Sequence, residues 1–447
     1  MAAGEGARFR ASVKISHKGL VYLGGLRIIE RVIFAFHKYS VNNIVIVVGY
    51  NSGALKSHLG RGERYSVRIQ YVENQDWKKG NGTSLYAARE ALSGEDHFLV
   101  SMADHWYEPE VIGEMLKSGV RGNLLCVDRN IQGVSNLEDA TKIDIDDSGL
   151  IRSIGKDLKQ YDAIDCGIFI SSKEVFDALQ ESFIQGDYSL TGGIRVLARK
   201  GRIATHDIGG HLWQDIDTER DLAIAERKIF SSLKGKGDGL VSRHLNRHLS
   251  IPLTKAIANY AVPPNQITVA SFLLCLIAGL LFFLGTPIFV VLAGVLAQLS
   301  SVVDGVDGEL ARLKFASTSY GSYLDSILDR YGDAVIILGM AYYSYTSVPE
   351  HWVLLTAILA LLGSGMSMMS RDAFFRSFGR RYNPADMDGA AKFLFAGRDG
   401  RLFLIFLGGV TNQVLLAMAI LAVTTNLLAI YRLLAISRIA KKGQVEN

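Results

Sequence analysis

Cysteine is scarce in this chain: three among 447 residues, Cys126, Cys166 and Cys275, with no Cys-x-x-Cys pair. So sparse a set excludes a disulfide framework and a zinc knuckle, and it fits a reducing compartment. An excess of one charge is also lacking. Forty-eight Lys and Arg face 44 Asp and Glu, a net of +4, too even a balance to point to nucleic acid as a partner. The apolar share of 49% and mean hydropathy of +0.19 exclude disorder, and the length suits two or three domains. Met1–Arg10 lacks the apolar core of a cleavable signal peptide.

The most telling absence is local. From Ala256 to Val303 there is no Asp, Glu, Lys or Arg, and about 20 apolar residues suffice to cross a bilayer as a helix. Gly285–Pro287 divides that run into two spans. Further charge-free stretches are Ala334–Pro349, His351–Ser370 and Leu402–Tyr431. The last is expected to break near Gly408–Thr411, which makes six helices. Arg312 and Lys314 lie between spans two and three; Arg371, Arg376, Arg380, Arg381, Lys392, Arg398 and Arg401 lie between four and five; Arg432, Arg438, Lys441 and Lys442 follow the last. The connections Gly285–Pro287 and Ser347–His351 carry no Lys or Arg. The positive-inside rule therefore puts both termini on the cytoplasmic side of a multi-pass protein of the cell membrane. Before the first span, Val241–Tyr260 mixes Arg243, Arg247 and Lys255 with leucines, as an interfacial helix does, although Pro252 should interrupt it.

The first half differs. Short β-branched runs such as Ile44–Val48 and Phe98–Met102 alternate with helical patterns such as Gly82–Leu92, which predicts an α/β domain with a largely parallel sheet. The boundaries expected are 1–232 for this domain, 233–260 for a hinge and interfacial helix, and 261–447 for the membrane domain.

Between Asp304 and Asp329 the chain reads Asp-x-x-Asp-Gly-x-x-Ala-Arg, eight residues, then Gly-x-x-x-Asp-x-x-x-Asp. Carboxylates in a membrane span are costly and mark function. Asp304 and Asp307 share one helical face at the end of span two, and Asp325 and Asp329 share another near the start of span three. An antiparallel hairpin could aim all four at one site. Their mutual repulsion calls for divalent cations, and oxygen-only ligands suit Mg²⁺ or Mn²⁺. A set of purely structural salt bridges would need matching cations, and within this stretch only Arg312 and Lys314 are basic.

This spacing resembles the signature of the CDP-alcohol phosphatidyltransferase family, and Pro264-Asn265-x-Ile267-Thr268 resembles its nucleotide-side element. The resemblance runs from about Leu240 onward. It implies a six-helix, often dimeric domain in which an acceptor hydroxyl displaces CMP from a CDP-alcohol. Asp304, Asp307 and Asp325 would bind metal, and Asp329 would be shared between metal and general base. Asn265, Thr268, Gly308, Ala311, Arg312 and Gly321 would hold the CDP moiety. Arg371, Arg376, Lys392, Arg398 and Arg401 could seat an acceptor's phosphate, or be ordinary positive-inside charge.

In the first half, Gly4 and Gly6 could cradle a triphosphate with Arg8 and Lys18 beside them. Asp104 follows an apolar run, and Asp215 and Asp217 lie in Trp213-Gln214-Asp215-Ile216-Asp217-Thr218; together they form a candidate Mg²⁺ site. The layout resembles the sugar-phosphate nucleotidyltransferases, cytidylyltransferases above all, which implies a Rossmann-like α/β fold. On that resemblance Lys18 and Arg8 act on the phosphates, Asn81, Gly82 and Thr83 read the base, and Lys156 and Asp165 face the sugar phosphate. One departure is that the family has an apolar strand before Ala-Ala-Gly, whereas Met1 stands just ahead of Ala2-Ala3 here. A weakened sheet and a displaced glycine loop are the expected result. His58, His206 and His211 have no partners at metal-ligand spacing.

One half thus resembles a maker of a CDP-activated alcohol and the other a consumer. Whole chains of this kind resemble fused enzymes of compatible-solute synthesis. That implies CTP plus inositol 1-phosphate giving CDP-inositol, then transfer of phospho-inositol to a second inositol 1-phosphate. Small phosphorylated polyols, the bilayer and a second copy of the chain are the implied partners. A phospholipid synthase using CDP-diacylglycerol with a regulatory first half is an alternative, as is a transporter, although a transporter gives that aspartate spacing no purpose.

Overall fold

The computed structural model describes the chain apart from residues 11–14, 120–121, 135, 236–237, 381, 395–396 and 444–447. The side chains of residues 10, 385, 392 and 439–443 also lie outside the described set, so the expected role of Lys392 falls outside it. The chain forms two compact units, Met1–Ser231 and Ser232–Asn447.

In the first unit the β-branched runs become strands, as expected of side chains that pack on a pleated surface. These are β1 (Asn43–Val48), β2 (Arg68–Glu73), β3 (His97–Ser101), β4 (His105–Tyr107), β5 (Asn123–Asp128), β6 (Lys142–Ile145), β7 (Ile151–Gly155), β8 (Ala163–Ser172), β9 (Ile203–Asp207) and β10 (Trp213–Asp215). The sheet is mixed rather than largely parallel. The ten-residue β8 lies at its centre and pairs antiparallel with β3, β5 and β6, while β9 pairs parallel with β5. Strands β1 and β2 form a separate parallel pair, and β4 and β10 an antiparallel one. Both faces are covered by apolar clusters, one with Leu125, Phe169 and Leu179 and another with Ile112, Cys126 and Trp213.

Met1–Ala3 runs into the space between β1 and β3. Ala2 forms a parallel bridge with Val48 and donates its N–H to Val47 O at 2.8 Å. The Met1 ammonium donates to Ser101 O at 2.6 Å, and Ala103 N–H donates to Met1 O at 3.0 Å. Past this point β1 and β3 share no ladder among the described residues, and a cavity of about 640 Å³ separates them, lined by Phe36, Ile44, Ile46, Leu92 and Val100. The sheet is therefore divided there. The glycine loop stays anchored all the same, because Ala2 and Ala3 are buried.

The second unit is helical: α1 (Arg247–Ile257), α2 (Pro264–Leu284), α3 (Pro287–Leu313), α4 (Ser319–Ser347), α5 (His351–Phe378), α6 (Arg398–Val410) and α7 (Val414–Gly443). Pro264 and Pro287 sit at helix starts, where a missing N–H is harmless, and Gly285 ends α2 with φ of 68°. The Thr318 hydroxyl accepts from Gly321 N–H at 3.0 Å and caps α4. Pro252 does not interrupt α1. It lies on the exposed face, where the carbonyl it leaves unpaired meets solvent.

Four helices, α2, α3, α5 and α7, are long and apolar enough to cross a membrane. The expected six rests on two more that miss this measure for separate reasons. Helix α4 has 29 residues but carries Asp325, Asp329, Arg330 and Asp333, while α6 has only 13. The break between α6 and α7 falls at 411–413, next to the expected one. Small residues let the helices touch: a Cβ on Gly294 of α3 would lie 3.0 Å from the Gly409 Cα of α6.

Two candidate active sites

Two carboxylate sets stand out, one in each unit. In the first, Asp104 lies just beyond β3 and Asp215 ends β10, which the pairing of Asp215 with His105 brings alongside. One ligand atom from each of Asp104, His105 and Asp215 falls within 4.8 Å of the others. The imidazole Nδ1 is 3.0 Å from Asp104 Oδ1 and 3.7 Å from Asp215 Oδ1. Asp215 Oδ1 is buried and accepts no hydrogen bond among the described residues, and an unpaired oxygen of that kind suits a cation. Asp217, expected as a third ligand, instead receives Lys18 Nζ at 2.5 Å and Arg8 Nη2 at 2.6 Å. Lys18 also reaches Asp104 at 2.9 Å.

The electrostatics follow from this chain of contacts. Burial pulls the Lys18 ammonium down, but Asp104 and Asp217 outweigh it and hold it above the usual range. Burial lifts the Asp104 carboxyl, yet Lys18 and His105 hold it well below its ordinary value. For His105, burial works against the charge, while Asp215 and Asp104 raise the imidazole from 6.5 to about 9. Burial raises Asp215 to about 6.

Two adjoining cavities share Arg8 and Asp217. One, about 290 Å³, is lined by Gly4, Gly6, Lys18 and Asp104; the other, about 370 Å³, by Asn81, Lys156, Asp165 and Asp215. Gly6 has φ of 61°, and a Cβ there would lie 2.9 Å from the Lys18 side chain, so only glycine lets the loop pass. The side chain of Asn81 is engaged, its Oδ1 accepting from Leu190 N–H at 2.8 Å. Gly82 donates its N–H to Tyr188 O, and Thr83 is buried against Asn74. Burial raises Asp165, which accepts from Gly167 N–H. Lys156 is paired with Asp139 at 2.5 Å, and Asp139 also takes Arg8 at 2.6 Å.

In the second unit, α3 and α4 each pack along α2 instead of forming the expected hairpin against each other, and their carboxylates still converge. One oxygen from each of Asp304, Asp307 and Asp325 lies within 4.8 Å of the others. Asp304 Oδ1 and Asp325 Oδ1 are buried and accept no hydrogen bond among the described residues. Thr268 of α2 donates to Asp307 Oδ2 at 2.5 Å. A Cβ on Gly321 would lie 2.9 Å from Asn265 Oδ1, which brings the nucleotide-side element to the same place. Asp329 is outside the three-oxygen set. It meets Arg398 Nη2 at 2.9 Å, and Arg398 Nη1 meets Asp304 Oδ2 at 2.5 Å.

The other expected residues are distributed as follows. Arg312 lines up beside Gly308, 3.3 Å from a Cβ built there, and donates to Leu233 O at 3.3 Å. Ala311 is half-buried on the same helix. The basic residues do not form one patch. Arg401 is buried and donates to Asp333 at 2.6 Å, whereas Arg371 and Arg376 are exposed at the end of α5. Three features escaped the sequence reading: His105, Asp139 and the insertion of Arg398 among the aspartates. Only His105 had a local signal, its adjacency to Asp104; the others come from residues far off in the chain. His58 and His211 are paired with Glu30, Glu108 and Glu114.

Residues 1–190 match the MobA-like NTP transferase domain, and residues 261–427 match the CDP-alcohol phosphatidyltransferase family. The bifunctional IPC transferase and DIPP synthase of Thermococcus kodakarensis is 36% identical over 411 residues, covering 91% of this chain and 88% of that protein. Its namesake in Aquifex aeolicus is 32% identical and covers 100% of this chain and 98% of the relative. The archaetidylinositol phosphate synthase of Pyrococcus horikoshii is 29% identical over 180 residues, 40% of this chain and 85% of that protein.

Proposed function

Because the chain belongs to the family of bifunctional IPC transferases and DIPP synthases, we propose that its halves catalyse consecutive reactions. The first converts CTP and inositol 1-phosphate into CDP-inositol and pyrophosphate. The second transfers phospho-inositol from CDP-inositol to another inositol 1-phosphate and releases CMP. The observation that carries this reading is the presence in one chain of two separate carboxylate sets, each with three ligand atoms within 4.8 Å.

A divalent cation, Mg²⁺ or Mn²⁺, held by Asp104 and Asp215 in one site and by Asp304, Asp307 and Asp325 in the other, would neutralise the substrate diphosphate. In the first half Gly4 and Gly6 offer backbone N–H groups to the triphosphate. Lys18 and Arg8 release Asp217 and turn to the phosphates, where their positive charge favours the departing pyrophosphate. Asn81, Gly82 and Thr83 shape the base side. Lys156 and Asp165 hold the sugar phosphate and its hydroxyls. In the second half Asn265, Thr268, Gly308, Ala311, Arg312 and Gly321 seat the CDP moiety, and Asp329 takes the proton from the attacking hydroxyl. Arg398 supplies positive charge to the acceptor's phosphate, Arg371 and Arg376 at the exposed end of α5 attract it from solution, and Arg401 acts from within the bundle through Asp333.

The membrane unit spans six times, with α4 and α6 shielded by their neighbours, and pairs with a second copy. Both termini face the cytoplasm, where CTP is made.

The test is to incubate the detergent-purified protein with CTP, Mg²⁺ and inositol 1-phosphate and to follow pyrophosphate and CMP separately. Both should appear, CMP after pyrophosphate. Asp104→Ala should cut pyrophosphate release at least about 10²-fold while leaving CMP release from supplied CDP-inositol intact. Asp329→Asn should cut CMP release about 10²–10⁴-fold. Equal loss of both activities in either variant would overturn the division into two sites.

A further inference from the structure

Of the three acidic residues in α3, Glu309 has no part in the proposed reaction, yet its side chain is 0% exposed. A buried carboxylate is retained only where donors surround it. Among the described residues its donors come from α1: Arg247 Nη1, Ser250 Oγ and Thr254 Oγ1, each at 2.5 Å. Positions 247, 250 and 254 share one helical face, and Leu249 and Leu253 are exposed on the other.

Arg247 binds more than Glu309. Its Nε and Nη2 donate to the two oxygens of Asp238 at 2.7 and 2.8 Å, and its Nη1 lies 3.3 Å from Gly305 O. A Cβ on Gly305 would sit 3.2 Å from Arg247 and 3.5 Å from Ser250. Helix α1 therefore crosses α3 against the backbone between Asp304 and Asp307. The same segment has a second grip. Ser242 N–H donates to Asp399 Oδ2 at 2.8 Å, and Gly239 leaves no room for a side chain against Asp399. Asp399 follows Arg398, whose guanidinium reaches Asp304 and Asp329.

We propose that residues 238–254 form a clamp, locked by the Arg247–Glu309 pair, that sets the spacing between the aspartates of α3 and Arg398 of α6. Arg247 and Glu309 are thus positioning residues for metal binding and CMP release, and neither touches substrate. This deepens the reading of the second half as a CDP-alcohol transferase and rests on it for the turnover effect alone.

A buried ionic cluster exchanged for apolar or neutral residues of similar size leaves folding stability largely intact, so the double variant Arg247→Met/Glu309→Leu, made with Asp238→Asn so that no carboxylate is left unpaired, separates positioning from folding. Mn²⁺ is titrated by electron paramagnetic resonance in an Asp215→Ala background, which silences the other site, and CMP release from supplied CDP-inositol is measured alongside. The folded double variant should bind Mn²⁺ about tenfold more weakly and lose about tenfold or more in kcat, with KM for CDP-inositol little changed. Wild-type Mn²⁺ affinity and kcat in that variant would overturn the clamp. Should the double variant not fold, Arg247→Lys serves instead: it keeps the charge but cannot reach Asp238, Gly305 O and Glu309 together, and the same shift is expected. Wild-type protein that never releases CMP, with the Mn²⁺ shift still present, would sink the transferase reading and leave the clamp standing.

Discussion

His105 and Arg398 each set a single cationic side chain against a pair of carboxylates. His105 faces Asp104 and Asp215, and Arg398 faces Asp304 and Asp329. In both places like charges are held closer than they would tolerate alone. The His105 value of about 9 lies above the ordinary 6.5. Its pairing therefore contributes stability that is complete below pH 6.5 and is lost as pH rises through 9. Asp215 acts in the same direction, at lower pH. Its carboxyl is raised from 3.8 to about 6, so stability falls as pH climbs across that interval. The His105 ring stacks on Trp213, with centroids 6.3 Å apart and planes at 17°. In EDTA, tryptophan fluorescence is expected to titrate with a midpoint near 9, and the transition should vanish in His105→Gln; its persistence would show that another group titrates. The aspartates themselves were legible because their spacing is local. The place of Arg398 among them was not, since it lies 94 positions along the chain from Asp304, and a search for counter-charges between Asp304 and Asp329 cannot see it.

Elements were legible where one local rule decided them. Pro at N1 marks the starts of α2 and α3 and Gly285 the end of α2, and the break at 411–413 follows from the polar residues there. Pairing was harder to read. The runs at β1 and β3 were visible, but strand direction depends on partners distant in sequence, and the ten-residue β8 turns a sheet expected to be parallel into a mixed one. Of the six expected spans, four meet the measure of length and apolarity among the described residues, while α4 carries acids and α6 is short. The slot between β1 and β3 gives a test at this scale. Met1–Ala3 pairs with both strands at one end, and the remaining edges face a cavity of about 640 Å³. Placing five apolar β-forming residues ahead of Met1, the length of β3, should join the two sheets. A rise in Tm of at least about 3 °C is expected. An extension carrying Pro at its middle position should give none, because it cannot complete the ladder. Equal Tm for both extensions would show that the slot does not accept a strand.

At the scale of the molecule, each of the two units has its own cluster of three candidate ligands, Asp104, His105 and Asp215 in one and Asp304, Asp307 and Asp325 in the other. The two units differ in composition, one an α/β unit with charges throughout and the other a bundle with long apolar helices. What composition cannot carry is whether the product of the first site leaves the protein before the second takes it up. CDP-inositol bears a diphosphate and several hydroxyls, is strongly hydrated, and has no apolar tail to keep it at a bilayer. Nothing in its chemistry retains it at the protein. Mixing Asp104→Ala, which keeps the second site, with Asp307→Asn, which keeps the first, is therefore expected to restore CMP release from CTP and inositol 1-phosphate. The restored rate should show a lag that shortens as either protein is raised, since the intermediate must accumulate in solution before it is used. A mixture that makes pyrophosphate but no CMP, while the wild-type chain makes both, would instead require transfer of CDP-inositol within a single assembly. The distinction bears on the fusion itself: free diffusion leaves the shared chain to fix the ratio and location of the two activities, whereas retention makes the path between them part of the catalyst.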